Sequence, residues 1–317
     1  MHKQSWELLQ IEDDEKNYQK YMLEYDNNNG RIIINKDNVL RVNAMINSNS
    51  TYKEHSKEES LPILKRGDGN EIIDKMSNGD FLDQTYIDND KEKYKYLGST
   101  KYWFEKLNKL IDKDITEKIE IEYYTSSKKN KTKTVDVSLG YVIFKTVCCV
   151  DNDNSTHLNS DSIGRRLLAY RIFQMRDELM NKLKQSNYSI INELSERIKE
   201  DEKNILEKGT SNYHISFASK WCHNACYYML EDKYKDNFSK VDSVVKEALK
   251  MFEEDLKVKG LNFDILRDNT KKDNRTSNEK IGENYGEYIK IIDAVRTMSD
   301  DPISRNGLDH LLWYSYK

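Results

Sequence analysis

Along the second half of the chain the apolar residues recur every three or four positions, the repeat that lines one face of an α-helix. The pattern predicts helices over 162–184, 188–207, 214–231, 240–257, about 284–298 and 304–315. The polar stretch RDNTKKDNRTSNEK (267–280) separates the fourth from the fifth. The first half reads as mixed. RIIINKDNVLRVNAMI (31–46) opens on β-branched residues and reads as strand, while TYKEHSKEESLPILKRGDGNE (51–71), with Pro62 and two glycines, reads as loop. STKYWFEKLNKLI (99–111) begins on Ser and Thr and sets Trp103, Phe104, Leu107, Leu110 and Ile111 at helical spacing. KIEIEYYT alternates Ile119, Ile121 and Tyr123 with Lys118, Glu120 and Glu122. With the basic turn SSKKNKTK and TVDVSLGYVIFKTVCCV after it, this predicts a hairpin whose second strand is long or broken near Gly140. The lysines of that turn read as a solvated tip, with phosphate contact as the alternative.

DNDNSTHLNSDS (151–162) is poor in apolar residues and rich in turn formers, and it marks the expected boundary. The fold class expected is therefore α+β. A mixed α/antiparallel-β N-terminal region over 1–150, of unassigned role, precedes an all-helical domain over 162–317.

Charge changes this picture only by exclusion. The chain has 51 basic against 55 acidic residues among 317, and the two signs balance from Asp161 onward. It has no global field to draw in nucleic acid, so any phosphate must be held by a local patch. Four cysteines, at 148, 149, 222 and 226, are no disulfide framework in a chain this long. The polar start MHKQSWELLQ has no apolar signal core, and no run approaches the ~20 apolar residues that span a bilayer. The expectation is a cytoplasmic protein with no membrane partner.

Most familiar chemical signatures are missing. There is no phosphate-cradling glycine loop, no HExxH, no EF-hand loop and no GxSxG. Cys222 and Cys226 stand one helical turn apart with His223 between them, which could begin a metal site, yet zinc wants three or four ligands. Cys148 and Cys149, read as strand neighbours facing opposite ways, could add one ligand at most. Core cysteines with no metal and no cofactor are the preferred reading.

Three segments carry a resemblance. They are Phe217-Ala218-Ser219-Lys220-Trp221-Cys222-His223, then Ser239-Lys240-Val241-Asp242-Ser243-Val244-Val245, then Leu308-Asp309-His310-Leu311-Leu312-Trp313. Their order and wording resemble a bacterial branch of the helix-hairpin-helix DNA glycosylases, the branch with an 8-oxoguanine DNA glycosylase fold. Members carry an F-A-S-K-Y-C-H-like helix, a P-I-Y-D-S-x-V-like helix start and a terminal L-D-x-x-L-W segment. The resemblance covers residues 162–317. It departs from the family at the hairpin, where EKGTSNYHIS offers only Gly209 in place of a G-x-G turn, and at the missing proline before the second helix.

The resemblance implies that Lys220 and Asp242 are the catalytic pair. It also implies that Phe217, Trp221, His223 and Ser243 bind the substrate. The partner implied is DNA carrying an abnormal or modified base, in repair or anti-phage defence. Cleavage of an N-glycosidic bond builds positive charge on the sugar, which a carboxylate stabilises, and a lysine amine can then attack the anomeric carbon. The base must first leave the stack. The residues themselves leave other readings open. Asp242, three positions after Ser239, suits a helix N-terminus without any chemistry. Lys220 could be turned outward to solvent. Trp313 and Tyr314 read as core anchors in preference to base-stacking platforms. A catalytically inactive glycosylase-fold module that binds DNA or a protein partner is the alternative function.

Overall fold

A computed structural model describes residues 23–48, 100–111, 117–124, 130–137, 139–154, 158, 163–196, 214–269 and 274–317. In chain order the elements are α1 (Lys36–Ser48), α2 (Thr100–Leu110), β1 (Glu117–Tyr124), β2 (Asn130–Val137), α3 (Leu139–Asn154), α4 (Ile163–Gln174), α5 (Arg176–Lys184), α6 (Ser189–Ser195) and α7 (Ile215–Met229). They continue with α8 (Ser243–Lys250), α9 (Glu253–Leu256), α10 (Ser277–Glu283), α11 (Tyr285–Arg296) and α12 (Arg305–Tyr316).

The α+β class is overturned. Among the described residues the only ladder is the two-stranded antiparallel hairpin β1–β2, which pairs Glu117 with Val137 and Tyr124 with Asn130. The remainder of the described residues is helix and connection, so they are of the α-helical class, and no mixed α/β N-terminal region is seen among them. Two misread runs account for the difference. The second strand ends at Val137, and LGYVIFKTVCCV is α3. Every residue from Tyr141 to Val150 is buried, and a run buried on all sides shows no periodicity that separates helix from strand. The second run, 31–46, is helical from Lys36. The Asn35 side chain accepts a hydrogen bond from the Asn38 amide at 2.7 Å, an N-cap that stops the extended chain. Its β-branched start makes only one bridge, Tyr25 to Ile32, around a turn at Gly30 with φ 66. Ile32 and Ile34 are buried there while Ile33 is exposed, so the alternation is present without a sheet.

The chain forms two compact units, one from the described residues of 54–237 and one from those of 1–53 and 238–317. Within the described residues the division between the units falls at Asn237/Phe238. In the first unit α3 packs on α2, α4 and α7, and α7 also packs on α2, α5 and α6. Trp103, Phe104 and Leu107 of α2 are fully buried against this core. In the second unit α8 packs on α12 and α11, α10 on α11, and α1 on α12. The N-terminal segment is fastened there by the Ile32 amide on the Tyr316 hydroxyl at 2.9 Å and by the Arg31–Asp255 ion pair at 2.5 Å. Asn38, fully buried, donates to the Glu24 and Ile33 carbonyls and accepts from the Glu24 amide, closing the turn on itself.

Candidate functional site

Lys220 lies in the middle of α7. This helix is apolar on almost every side, with Ile215, Phe217, Ala218, Trp221, Cys222, Ala225, Cys226 and Met229 all buried. Such a helix forms because its burial outweighs any cap: His214, at its start, makes no side-chain capping bond. Its entry is fixed instead by the His214 amide donating to the Ser195 carbonyl at 3.0 Å. The lysine keeps only 6% of its surface exposed, so an outward, solvated Lys220 is ruled out. Phe217 and Trp221 are buried beside it in sequence, at 1% and 0%. The Trp221 indole N–H donates to the Thr146 hydroxyl on α3 at 3.0 Å, and its ring lies 5.5 Å from that of Phe104. His223 is buried as well, its ring stacked at 6.2 Å on Tyr227.

Cys148 and Cys149 lie on α3 and not on a strand, and all four cysteines are free and buried. Burial pushes the Cys148, Cys222 and Cys226 thiols up, away from the thiolate a metal ligand needs. Among the described residues no group of three or more His, Cys, Asp or Glu side chains is placed to hold a metal ion.

The same unit holds charged groups that no sequence pattern announced. Lys145 of α3 is 2% exposed, with its ammonium 4.8 Å over the Tyr141 ring. Asp151 takes both the Nε and an Nη of Arg165 at 2.7 Å and the Leu158 amide at 3.1 Å. Arg171 donates to the Leu194 and Glu196 carbonyls at the end of α6. His214 stands within the fields of Arg171 and Asp151. Burial first, then Arg171, lower its pKa to about 4 against the opposing pull of Asp151.

Asp242 belongs to the other unit and is built differently. Its own backbone is extended, with φ −127 and ψ 147, and its Oδ1 accepts from the Val244 amide at 2.9 Å as the N-cap of α8. The capping reading of this aspartate is therefore realised. Ser243, the first residue of α8, is exposed. The run before Asp242 is held by two phenols of α11. The Tyr285 hydroxyl accepts from the Ser239 amide at 2.8 Å and donates to the Ser239 carbonyl, and the Tyr288 hydroxyl donates to the Lys240 carbonyl at 2.8 Å. The Lys240 ammonium reaches Asn306 Oδ1 at 3.2 Å and Asp309 Oδ2 at 3.4 Å, both on α12. Burial, with the charges of Asp309 and Asp242, pushes the Tyr288 phenol well above its ordinary value. One turn along α8, Lys246 donates to Ser277 Oγ at 2.9 Å and Asn278 Oδ1 at 2.8 Å. Burial pushes its ammonium pKa down.

Of the sequence-predicted residues, Phe217, Lys220, Trp221 and His223 share α7, and Asp242 and Ser243 share the start of α8. The hairpin turn at Gly209 lies outside the described residues. Tyr314 is buried, as a core anchor should be, whereas Trp313 is half-buried with the Lys317 ammonium 3.8 Å from its ring centre. The tyrosines that hold the approach to Asp242 were missed, because nothing local to the sequence couples them to it. No helix among the described residues is long and apolar enough to cross a membrane. Compared with family models, with curated proteins and with solved structures, the chain matches none.

Proposed function

We propose that the chain is a DNA glycosylase acting on an abnormal or modified base, with lyase chemistry through Lys220, in repair or anti-phage defence. The reading comes from the three segments that resemble the helix-hairpin-helix glycosylases. The observation that carries it furthest is the burial of Lys220, which keeps 6% of its surface on a helix whose other buried residues are nearly all apolar. A buried ammonium must be met by partners to be tolerated, and amines kept from bulk water are the ones that form Schiff bases. In the reaction the C1′–N bond breaks and its electron pair leaves with the base. The Lys220 amine attacks C1′ and gives up one proton to the departing base; the C1′–O4′ bond then opens, its electron pair and the second amine proton pass to O4′, and an imine is left. Asp242 stabilises the positive charge that develops on the sugar.

A second reading has its own support. Asp242 already caps α8, a structural task that would persist in a protein without catalysis. On that reading the chain is a glycosylase-fold module that binds DNA or a protein partner.

Borohydride trapping separates the two. The full chain is incubated with duplexes carrying an abasic site, 8-oxoguanine or phage-type modified bases, and reductant is then added. A covalent protein–DNA adduct that disappears in Lys220→Ala, with Asp242→Asn slowing its formation about 100-fold or more, is the expected result. An unchanged adduct in Lys220→Ala sinks the assignment of the amine. No adduct and no released base on any duplex leaves the binding module as the reading.

A further inference from the structure

We propose that Lys240, Asp309 and Tyr288 form a positioning device that fixes the direction in which Asp242 presents its carboxylate. This rests on the glycosylase reading for its catalytic consequence, but not for its structural one. The run Phe238 to Asp242 lies outside any helix or strand, and Asp242 itself is extended, with φ −127 and ψ 147. Its backbone groups are met by side chains. Tyr285 both accepts from and donates to Ser239, as a neighbouring strand would, and Tyr288 donates to the carbonyl of Lys240. Phe238, Ser239 and Val241 are buried, whereas Lys240 and Asp242 are half-buried.

Lys240 and Asp242 are thus the two partly exposed residues of one short run. The ammonium of Lys240 is tied to Asn306 and Asp309 on α12. That ties down the run two residues before Asp242. Asp242 is then held at both ends of its own residue, by the anchored backbone before it and by the Val244 amide after it. A carboxylate that must meet charge developing on a sugar needs this kind of preorganisation, since a displacement of about 1 Å can cost ~100-fold in rate. Tyr288 serves the same end. Its single hydroxyl hydrogen is committed to the Lys240 carbonyl, and its ring is fully buried beside Tyr285, 5.8 Å away. The structure thus assigns Lys240, Asp309 and Tyr288 as positioning residues; they act through Asp242 and not on the substrate.

The test uses the full chain and two readouts. The first needs no substrate: amide hydrogen exchange at Val244, whose N–H is the reporter of the Asp242 cap. Asp309→Asn, Lys240→Met and Tyr288→Phe should each speed this exchange about tenfold relative to amides later in α8. Lys240→Arg, which keeps the cation, should restore it. The second readout is the single-turnover rate of base release or trapping beside the Kd for a duplex with an uncleavable abasic analogue. The rate should fall about 30-fold in the three variants, with Kd unchanged and Lys240→Arg recovering most of the loss. Unchanged exchange at Val244 in all three variants overturns the device. Faster exchange with an unchanged single-turnover rate overturns its role in catalysis. A wild-type chain without base release or trapping defeats the glycosylase reading alone, because the exchange readout still decides whether these residues hold Asp242.

Discussion

The unit built from 54–237 and the unit built from 1–53 with 238–317 hold their candidate residues by different physics. In the first, Lys220 sits on a continuous helix that is buried on nearly all sides, and its place is set by the packing of Phe217, Trp221 and Cys222. In the second, Asp242 ends a short run outside any helix, in which Phe238 and Val241 are buried but the backbone and Lys240 are held by polar groups. Hydroxyls of α11, and the ion pair of the run's own Lys240 with Asp309 of α12, fix it as well. Packing tolerates sliding as long as volume is conserved, whereas a hydrogen-bonded run has one register. The contrast suits the proposed roles: an amine needs shelter and reach, a carboxylate needs direction.

The largest test of that contrast is Trp221→Ala. Trp221 is fully buried, and its removal deletes the bond to Thr146 and leaves a cavity next to Phe104. We expect a loss of about 4 kcal/mol, read from urea unfolding. Hydrogen exchange should rise through α2, α3 and α7. A cost under about 1 kcal/mol would mean that packing does not hold the Lys220 helix, and the contrast would fail on that side.

Tyr285→Phe probes the other unit. The substitution keeps the ring that stacks on Phe238 at 6.1 Å and removes only the hydroxyl. The Ser239 amide and carbonyl then lose their partner in a buried place, and a cost of about 2 kcal/mol is expected. The rise in exchange should start at Ser239 and run into the first turn of α8. If Tyr285→Phe were neutral while Tyr285→Leu were not, ring packing alone would hold the run, and the two units would not differ in kind.

The same contrast explains what could be read from the sequence. The α7 helix was legible because its apolar residues and the F-A-S-K-W-C-H run are local. Asp242 at a helix start was legible because capping is decided within a few residues. The grip on the run before it was not, since Tyr285 and Tyr288 act on residues 46 and 48 positions earlier. Nor could the sequence show that Ile32 bonds to Tyr316, 284 positions away, and so joins the N-terminal segment to the C-terminal unit. The α3 helix was misread for another reason. Its apolar residues are buried all round, and the alternation of β1 beside it lent the run a strand's appearance. The α1 helix was misread because the β-branched residues of 32–34 were weighed above the capping chemistry of Asn35.

The smallest expected effect is acid sensitivity, and it too divides between the units. Each unit carries a histidine whose pKa burial lowers, and their charged neighbours differ. Burial is the main cause in both. His214 lies between the cation of Arg171 and the opposing carboxylate of Asp151, and its pKa falls from 6.5 to about 4. His310 faces the cation of Lys240, and its pKa falls from 6.5 to about 3. Both are lower in the folded chain, so the unfolded chain takes up the proton first. The stability they contribute is complete above pH 6.5 and is lost as pH falls through the window down to about 4 for one and about 3 for the other. At about pH 5.5 each should have cost about 1.4 kcal/mol. Urea unfolding at about pH 7.5 and about pH 5.5 reads the sum, and hydrogen exchange assigns it to the units. His310→Gln should remove the acid response of α12 and leave that of α7 intact, and His214→Gln should do the reverse. Below about pH 4 only the His310 share should still grow, because His214 has by then taken up its own proton in the folded state. An acid response that neither substitution reduces would show that these two histidines stay hydrated, and that the surroundings of Lys240 and Arg171 are more open than the burial of their neighbours implies.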